Sequence, residues 1–112
     1  MKQIIAYVKP AVFERVTEAL RQVGGLTGMS ASENSGFGRG KGARRKLIDS
    51  QISYFTKNVR LEVMVSDAVV WTAVDAIRQQ AWTGAEGEGK IYVLEVLEAV
   101  RVRTNERGEA AV

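Results

Sequence analysis

Between a helical run and a strand, Thr83-Gly84-Ala85-Glu86-Gly87-Glu88-Gly89-Lys90 places three glycines, a hydroxyl and a lysine in eight residues. Glycine backbones approach a ligand closely and take conformations closed to other residues, so their N–H groups can converge on phosphate oxygens while a lysine adds charge. The chemistry implied is anion cradling. It is not a P-loop, because the spacing of four residues before Gly-Lys-Ser/Thr is missing and the stretch leads into a strand. The competing structural explanation is a solvated turn in which glycine ends the preceding helix. Arg101 and Arg103 add a second feature: Val-Arg-Val-Arg at strand period points both guanidinium groups to one side, where they could grip phosphate oxygens. Glu62, Glu86 and Glu88 are the carboxylates available for base chemistry beside such a cradle, which would make a slow nucleotide hydrolase. With no histidine or cysteine in the chain the catalytic inventory is thin, a binding module is the better reading, and no metal site is expected.

These residues must be positioned by elements whose periodicity is legible. Lys2–Val8 alternates and is closed by Pro10, which predicts a first strand. From Ala11 to Val23, Val12, Val16, Ala19, Leu20 and Val23 fall at helical spacing, and Gly24-Gly25 ends that helix. Met29–Ser35 reads as a polar second strand and Val59–Val65 as a cleanly alternating third. Ser66-Asp67 is the expected N-cap of a second helix with Val70, Ala73, Val74, Ile77 and Ala81 inward. Lys90–Val100 is expected as a fourth strand leading into the arginine pair, and Thr104–Val112 (104–112) as a mobile C-terminal tail.

The order β-α-β-β-α-β predicts an α+β, ferredoxin-like chain, with two helices on one face of a four-stranded antiparallel sheet. The other face, carrying Ile5, Tyr7 and Met64, is left for an oligomer or a partner. Trp71 and Trp82, flanking the second helix, are expected to serve packing or an interface.

At 112 residues, 46% hydrophobic and 26% charged, the chain is expected to form a single domain, 1–112, with ordinary globular composition. The absence of cysteine removes disulfides and thiolate sites. The N-terminal apolar run is too short for a signal peptide and no stretch is long enough to span a bilayer, so a cytoplasmic location is expected.

Charge is concentrated in one segment. Between Gly36 and Asn58, Arg39, Lys41, Arg44, Arg45, Lys46 and Lys57 stand against Asp49 alone, six against one, a net +5. That leaves −2 for the rest of a chain whose total is +3. A loop this long inside a compact domain is usually functional or disordered. Nucleic acid is not expected as its partner: Tyr7 is the only clear aromatic on a central strand, and no basic-glycine-aromatic strand motif is present. Arg44-Arg45-Lys46 beside Leu47-Ile48 favours an acidic protein surface with an apolar notch, including the cytoplasmic rim of a membrane protein.

Gly36-Phe37-Gly38-Arg39 with Lys41-Gly42, the 83–90 loop and Arg101-Val102-Arg103-Thr104 together resemble the PII signal-transduction proteins over nearly the whole chain. The resemblance implies a homotrimeric, non-enzymatic regulator that binds ATP or ADP, with AMP a further candidate, in clefts between subunits. It also implies signalling through a long T-loop, here 36–57, to a target transporter or enzyme. Carried over residue by residue, Thr83, Gly87, Glu88, Gly89 and Lys90 form the phosphate loop, and Arg101 and Arg103 reach the same phosphates. Arg39 and Lys41 sense them from the loop base, and Ser30, Gly36, Glu62 and Met64 line adenine and ribose. Arg44, Arg45, Lys46, Leu47, Ile48 and Tyr54 fall on the partner-binding loop.

Two departures shape the functional expectation. The family's glutamine after Gly-Phe-Gly-Arg, which helps hold magnesium and 2-oxoglutarate, is Gly40 here, and Tyr54 is not in the context of the tyrosine that some members modify. Loss of one oxygen ligand should weaken a magnesium site, so a regulator that does not respond to 2-oxoglutarate is expected first. A branch tied to a smaller anion such as bicarbonate in inorganic-carbon uptake, or to metal efflux, is the first alternative. Ordinary nitrogen regulation is the second, alongside the slow hydrolase.

Overall fold

A computed structural model describes residues 1–37, 55–85 and 89–112. The strands are β1 (Lys2–Val8), β2 (Ser30–Gly36), β3 (Thr56–Val65) and β4 (Gly89–Glu95), and the helices are α1 (Phe13–Arg21) and α2 (Val70–Ala81). A 3-10 turn at Pro10–Val12 precedes α1, and a second, Gly108–Ala111, closes the chain. The sheet runs in the order β2-β3-β1-β4, and all three pairings are antiparallel. This is the expected β-α-β-β-α-β arrangement.

Alternation in the sequence becomes two chemically distinct sheet faces. Ile4, Ala6 and Val8 on β1 and Leu61, Val63 and Val65 on β3 are sealed against Val16 and Leu20 of α1 and Val70, Ala73 and Ile77 of α2. The helical stripes read from sequence carry the buried residues, with Ala19, Val23 and Val74 of those stripes only half-buried. Gly25, with φ of +86°, turns the chain after α1 where a side chain would crowd Val69.

Boundaries differ from the sequence reading in several places. Asp67 does not cap α2: the N-cap is Val69, without a side-chain bond. The Asp67 carboxylate instead accepts from the Met1 ammonium at 2.9 Å and the Lys2 Nζ at 3.1 Å, two full charges that outcompete a helix amide. β4 stops at Glu95, because its neighbour β1 begins at the paired Lys2, and the Val96 N–H, donating to Met1 O at 3.1 Å, is the last contact along that edge.

The stretch expected to continue as strand through the arginines is a turned hairpin. Val100 bridges Arg107, residues 102–104 form a turn, and Asn105 takes φ of +62°, so strand period does not place Arg101 and Arg103 on one side. Finally, the tail expected to be mobile folds back, with Gly108 N–H on Ala99 O at 3.0 Å. β3 also starts earlier than expected, so Thr56 and Lys57 belong to strand and not to the long loop.

Candidate functional site

The open face of the sheet is set by register. Ser32, Arg60, Tyr7 and Lys90 form one row across the four strands, and Ser30, Glu62, Ile5 and Tyr92 form the next. Met64 follows on β3, opposite Gln3. A groove of about 580 Å³ at the far end of this face is lined by Ser30, Glu62 and Met64 together with Met29, Val100 and Val112. Three of the four residues expected to line adenine and ribose are thus brought together, and the fourth, Gly36, stands at the other end of β2, paired with Thr56.

Arg60 was not singled out from sequence, yet it forms an ion pair with Glu62 and shares with it a smaller recess of about 280 Å³, also lined by Ser30 and Ser32. Its Nε is buried with no acceptor among the described residues. A period of two from Glu62 and Met64 was the signal that would have found it. Other contributors missed include Glu98, Ala99 and Val100 and the terminal Ala111 and Val112, which the folded-back C-terminal segment brings to the groove.

At the opposite end, the chain leaves α2 through the glycine loop. Arg15 of α1 donates from Nε and Nη2 to the Gln80 carbonyl at 3.1 and 2.9 Å, satisfying one of the free carbonyls at the helix C-terminus. Thr83 Oγ1 accepts from Ala85 N–H at 3.4 Å. Gly89, with φ of +115°, enters β4 where a Cβ would overlap the Tyr7 carbonyl, so this glycine is required by the sheet itself, whatever it binds. Lys90 is exposed beside Tyr7, and Tyr7 meets Tyr92 edge to face with centroids 6.4 Å apart. Glu86, Gly87 and Glu88 lie outside the described residues.

The long loop springs from the same end of the sheet. Its neck is fastened by Asn34 Nδ2 donating to Asn58 Oδ1 at 2.8 Å, Thr56 Oγ1 donating to Gly36 O at 3.1 Å, and an edge-to-face contact of Phe37 with Phe55 at 5.2 Å. Arg39, Gly40, Lys41, Arg44, Arg45, Lys46, Leu47, Ile48 and Tyr54 lie outside the described residues.

The arginine pair is not beside the glycine loop in one chain. β4 is seven residues, roughly 20 Å of extended backbone, and the hairpin begins only after it. Arg101 is held there by Glu106 at 3.7 Å and by the Ala110 carbonyl at 3.4 Å, while Arg103 has no side-chain partner among the described residues.

No helix among the described residues is long and apolar enough to cross a membrane. Residues 1–106 match the family described as Nitrogen regulatory protein P-II. The chain is 42% identical to the Nitrogen regulatory protein P-II of Rhodospirillum rubrum and to that of Bradyrhizobium diazoefficiens, in each case over the whole of both chains. Its fold matches a crystal structure of Arabidopsis thaliana PII bound to citrate, with a TM-score of 0.78 and 32% identity, covering 99% of this chain and 91% of that one. The chain therefore belongs to the P-II family, whose members are regulatory signal-transduction proteins.

Proposed function

We propose that this protein is a nitrogen-regulatory PII protein that binds adenine nucleotides between protomers and signals through the long loop between β2 and β3 to a protein target. The observation that carries the reading is the open-face groove, where Ser30, Glu62 and Met64 meet although they come from two strands. The separation of Lys90 from the Arg101–Arg103 hairpin supports a shared site: a second copy of the chain must supply one half of the phosphate contacts, as in a cyclic trimer. Ligand and loop are coupled by differential contact, because a nucleotide shifts the loop only by binding one loop state better. The protein acts by binding and not by turnover.

Relatives named for nitrogen regulation favour that role over the carbon-uptake and metal-efflux alternatives. Gly40 separates two versions of it. Without the glutamine side chain a bound magnesium would lack one oriented ligand, so 2-oxoglutarate binding is weak even with Mg-ATP; Lys57, near the family position of a lysine that pairs the keto acid's distal carboxylate, would add one exposed charge pair, worth about 1 kcal/mol or less, and does not restore it.

Calorimetry with ATP, ADP and AMP tests the nucleotide reading, and binding of none of them at millimolar concentration sinks it. Titration of 2-oxoglutarate into the Mg-ATP complex tests the second part. Tight, magnesium-dependent binding there returns the chain to the 2-oxoglutarate-responsive form of nitrogen signalling.

A further inference from the structure

The solvent side of α2 carries Trp71, Asp75, Arg78 and Trp82, all exposed. At about 100° per residue, steps of four, three and four hold these side chains within an arc of roughly 60°. Trp82 follows the last helical residue, but its φ of −70° and its N–H bond to Arg78 O at 3.0 Å keep its Cα–Cβ bond on the helical screw. The two indoles are 63% and 62% exposed, about 16 Å apart along the axis at 1.5 Å per residue. Neither lines the groove, and neither belongs to the core. Asp75 and Arg78 have no side-chain partners among the described residues, not even each other.

The order of this stripe is self-complementary. A two-fold axis between Ala76 and Ile77 exchanges position 71 with 82 and position 75 with 78. Two helices packed antiparallel about that axis set Trp71 of one copy on Trp82 of the other, twice, and Asp75 against Arg78, twice. Large aromatics at the ends with opposite charges between them suit a docking surface better than a solvated face.

We propose that this face of α2 docks a second copy of the chain by two-fold antiparallel helix contact. The helices cover the sheet face opposite the groove, so the contact joins back to back whatever assembly the open face supports. A partner of unrelated sequence would have no reason to match a stripe symmetric about its own centre. The area available along a twelve-residue helix falls short of the roughly 1,200 Å² of a standard stable interface, so the association is weak and concentration-dependent.

Sedimentation of the full chain from micromolar to near-millimolar concentration reads it directly. The wild-type weight-average mass should rise steadily across that range, since every chain of an assembly carries one such face. Asp75→Arg alone and Arg78→Asp alone place like charges face to face and should each weaken association by roughly tenfold or more. The double exchange Asp75→Arg/Arg78→Asp, and an equimolar mixture of the two single variants, restore opposite pairs and should recover wild-type association. All four positions are exposed, so folding is not at stake, and Trp emission monitors indole burial independently. A mass that does not change with concentration, single variants that associate like the wild type, or a double exchange that fails to rescue each overturns the proposal.

Discussion

On β3, Leu61, Val63 and Val65 are sealed in the core while the interleaved Arg60, Glu62 and Met64 face the open side. The first set is interchangeable in kind, held by burial and shape. The second is chemically particular, with an ion pair, a buried donor without an acceptor among the described residues and a groove wall. Two residues adjacent in sequence thus face opposite ways: Leu61 is sealed in the core and Glu62 lines the groove. On the proposed function, stability and recognition are separated here by a peptide unit, not by a domain boundary.

The sharpest test of that separation is the neighbouring pair of substitutions. Leu61→Ala should cost about 2–5 kcal/mol in chemical denaturation, from lost transfer free energy and the cavity left behind. Glu62→Gln should change stability by no more than about 1 kcal/mol, since its ion pair with Arg60 is more than a third exposed, yet weaken nucleotide binding measurably. Equal losses of stability from the two changes would collapse the comparison.

Gly89 breaks the simple division and therefore sharpens it. It belongs to the expected phosphate loop but is demanded by the fold, so Gly89→Ala should cost about 3 kcal/mol, from positive φ and overlap with the Tyr7 backbone. Unchanged thermal stability would mean that the glycine is kept for its ligand alone.

Charge at the other end of the sheet should matter least. The Met1 ammonium, and then Lys2, hold the Asp67 carboxyl below its ordinary range; Glu95, and then Asp67, hold Lys2 above its own. A depressed carboxylate stabilises the fold above its unfolded value of 3.8, and that contribution is lost as pH falls through the lower folded value. A raised lysine contributes below 10.5 and loses its contribution as pH rises through the higher folded value. Both groups are solvated, so Asp67→Asn should leave the melting temperature near pH 7 almost unchanged and flatten its fall below pH 4. An acid limb as steep as that of the wild type would show that the cluster contributes nothing.

Much of the sheet and both helical stripes were legible, because periods of two and 3.6 in Val59–Val65 and Val70–Ala81 have one physical reading each. The C-terminal hairpin was not. Arg101-Val102-Arg103 alternates like a strand, but no neighbouring strand remains to accept its backbone hydrogen bonds, and Asn105 can turn where most residues cannot. Within the groove, the family resemblance points to Ser30, Glu62 and Met64 but not to Arg60, because an outward arginine on a strand looks solvated until its neighbours are placed. The cap expected of Asp67 failed for a related reason: the cations that claim it are brought there by the fold of β1.

The central claim is that one nucleotide site draws Lys90 from one copy and Arg101 with Arg103 from another. Subunit mixing measures it. Lys90→Ala protein and Arg101→Ala/Arg103→Ala protein should each bind ATP weakly when pure. Co-assembled in equal amounts, they should regain about a quarter of the wild-type high-affinity sites, the fraction of interfaces in a cyclic oligomer that unite two intact halves. No regained sites, with each variant alone still weak, would place both halves in a single chain and contradict the account.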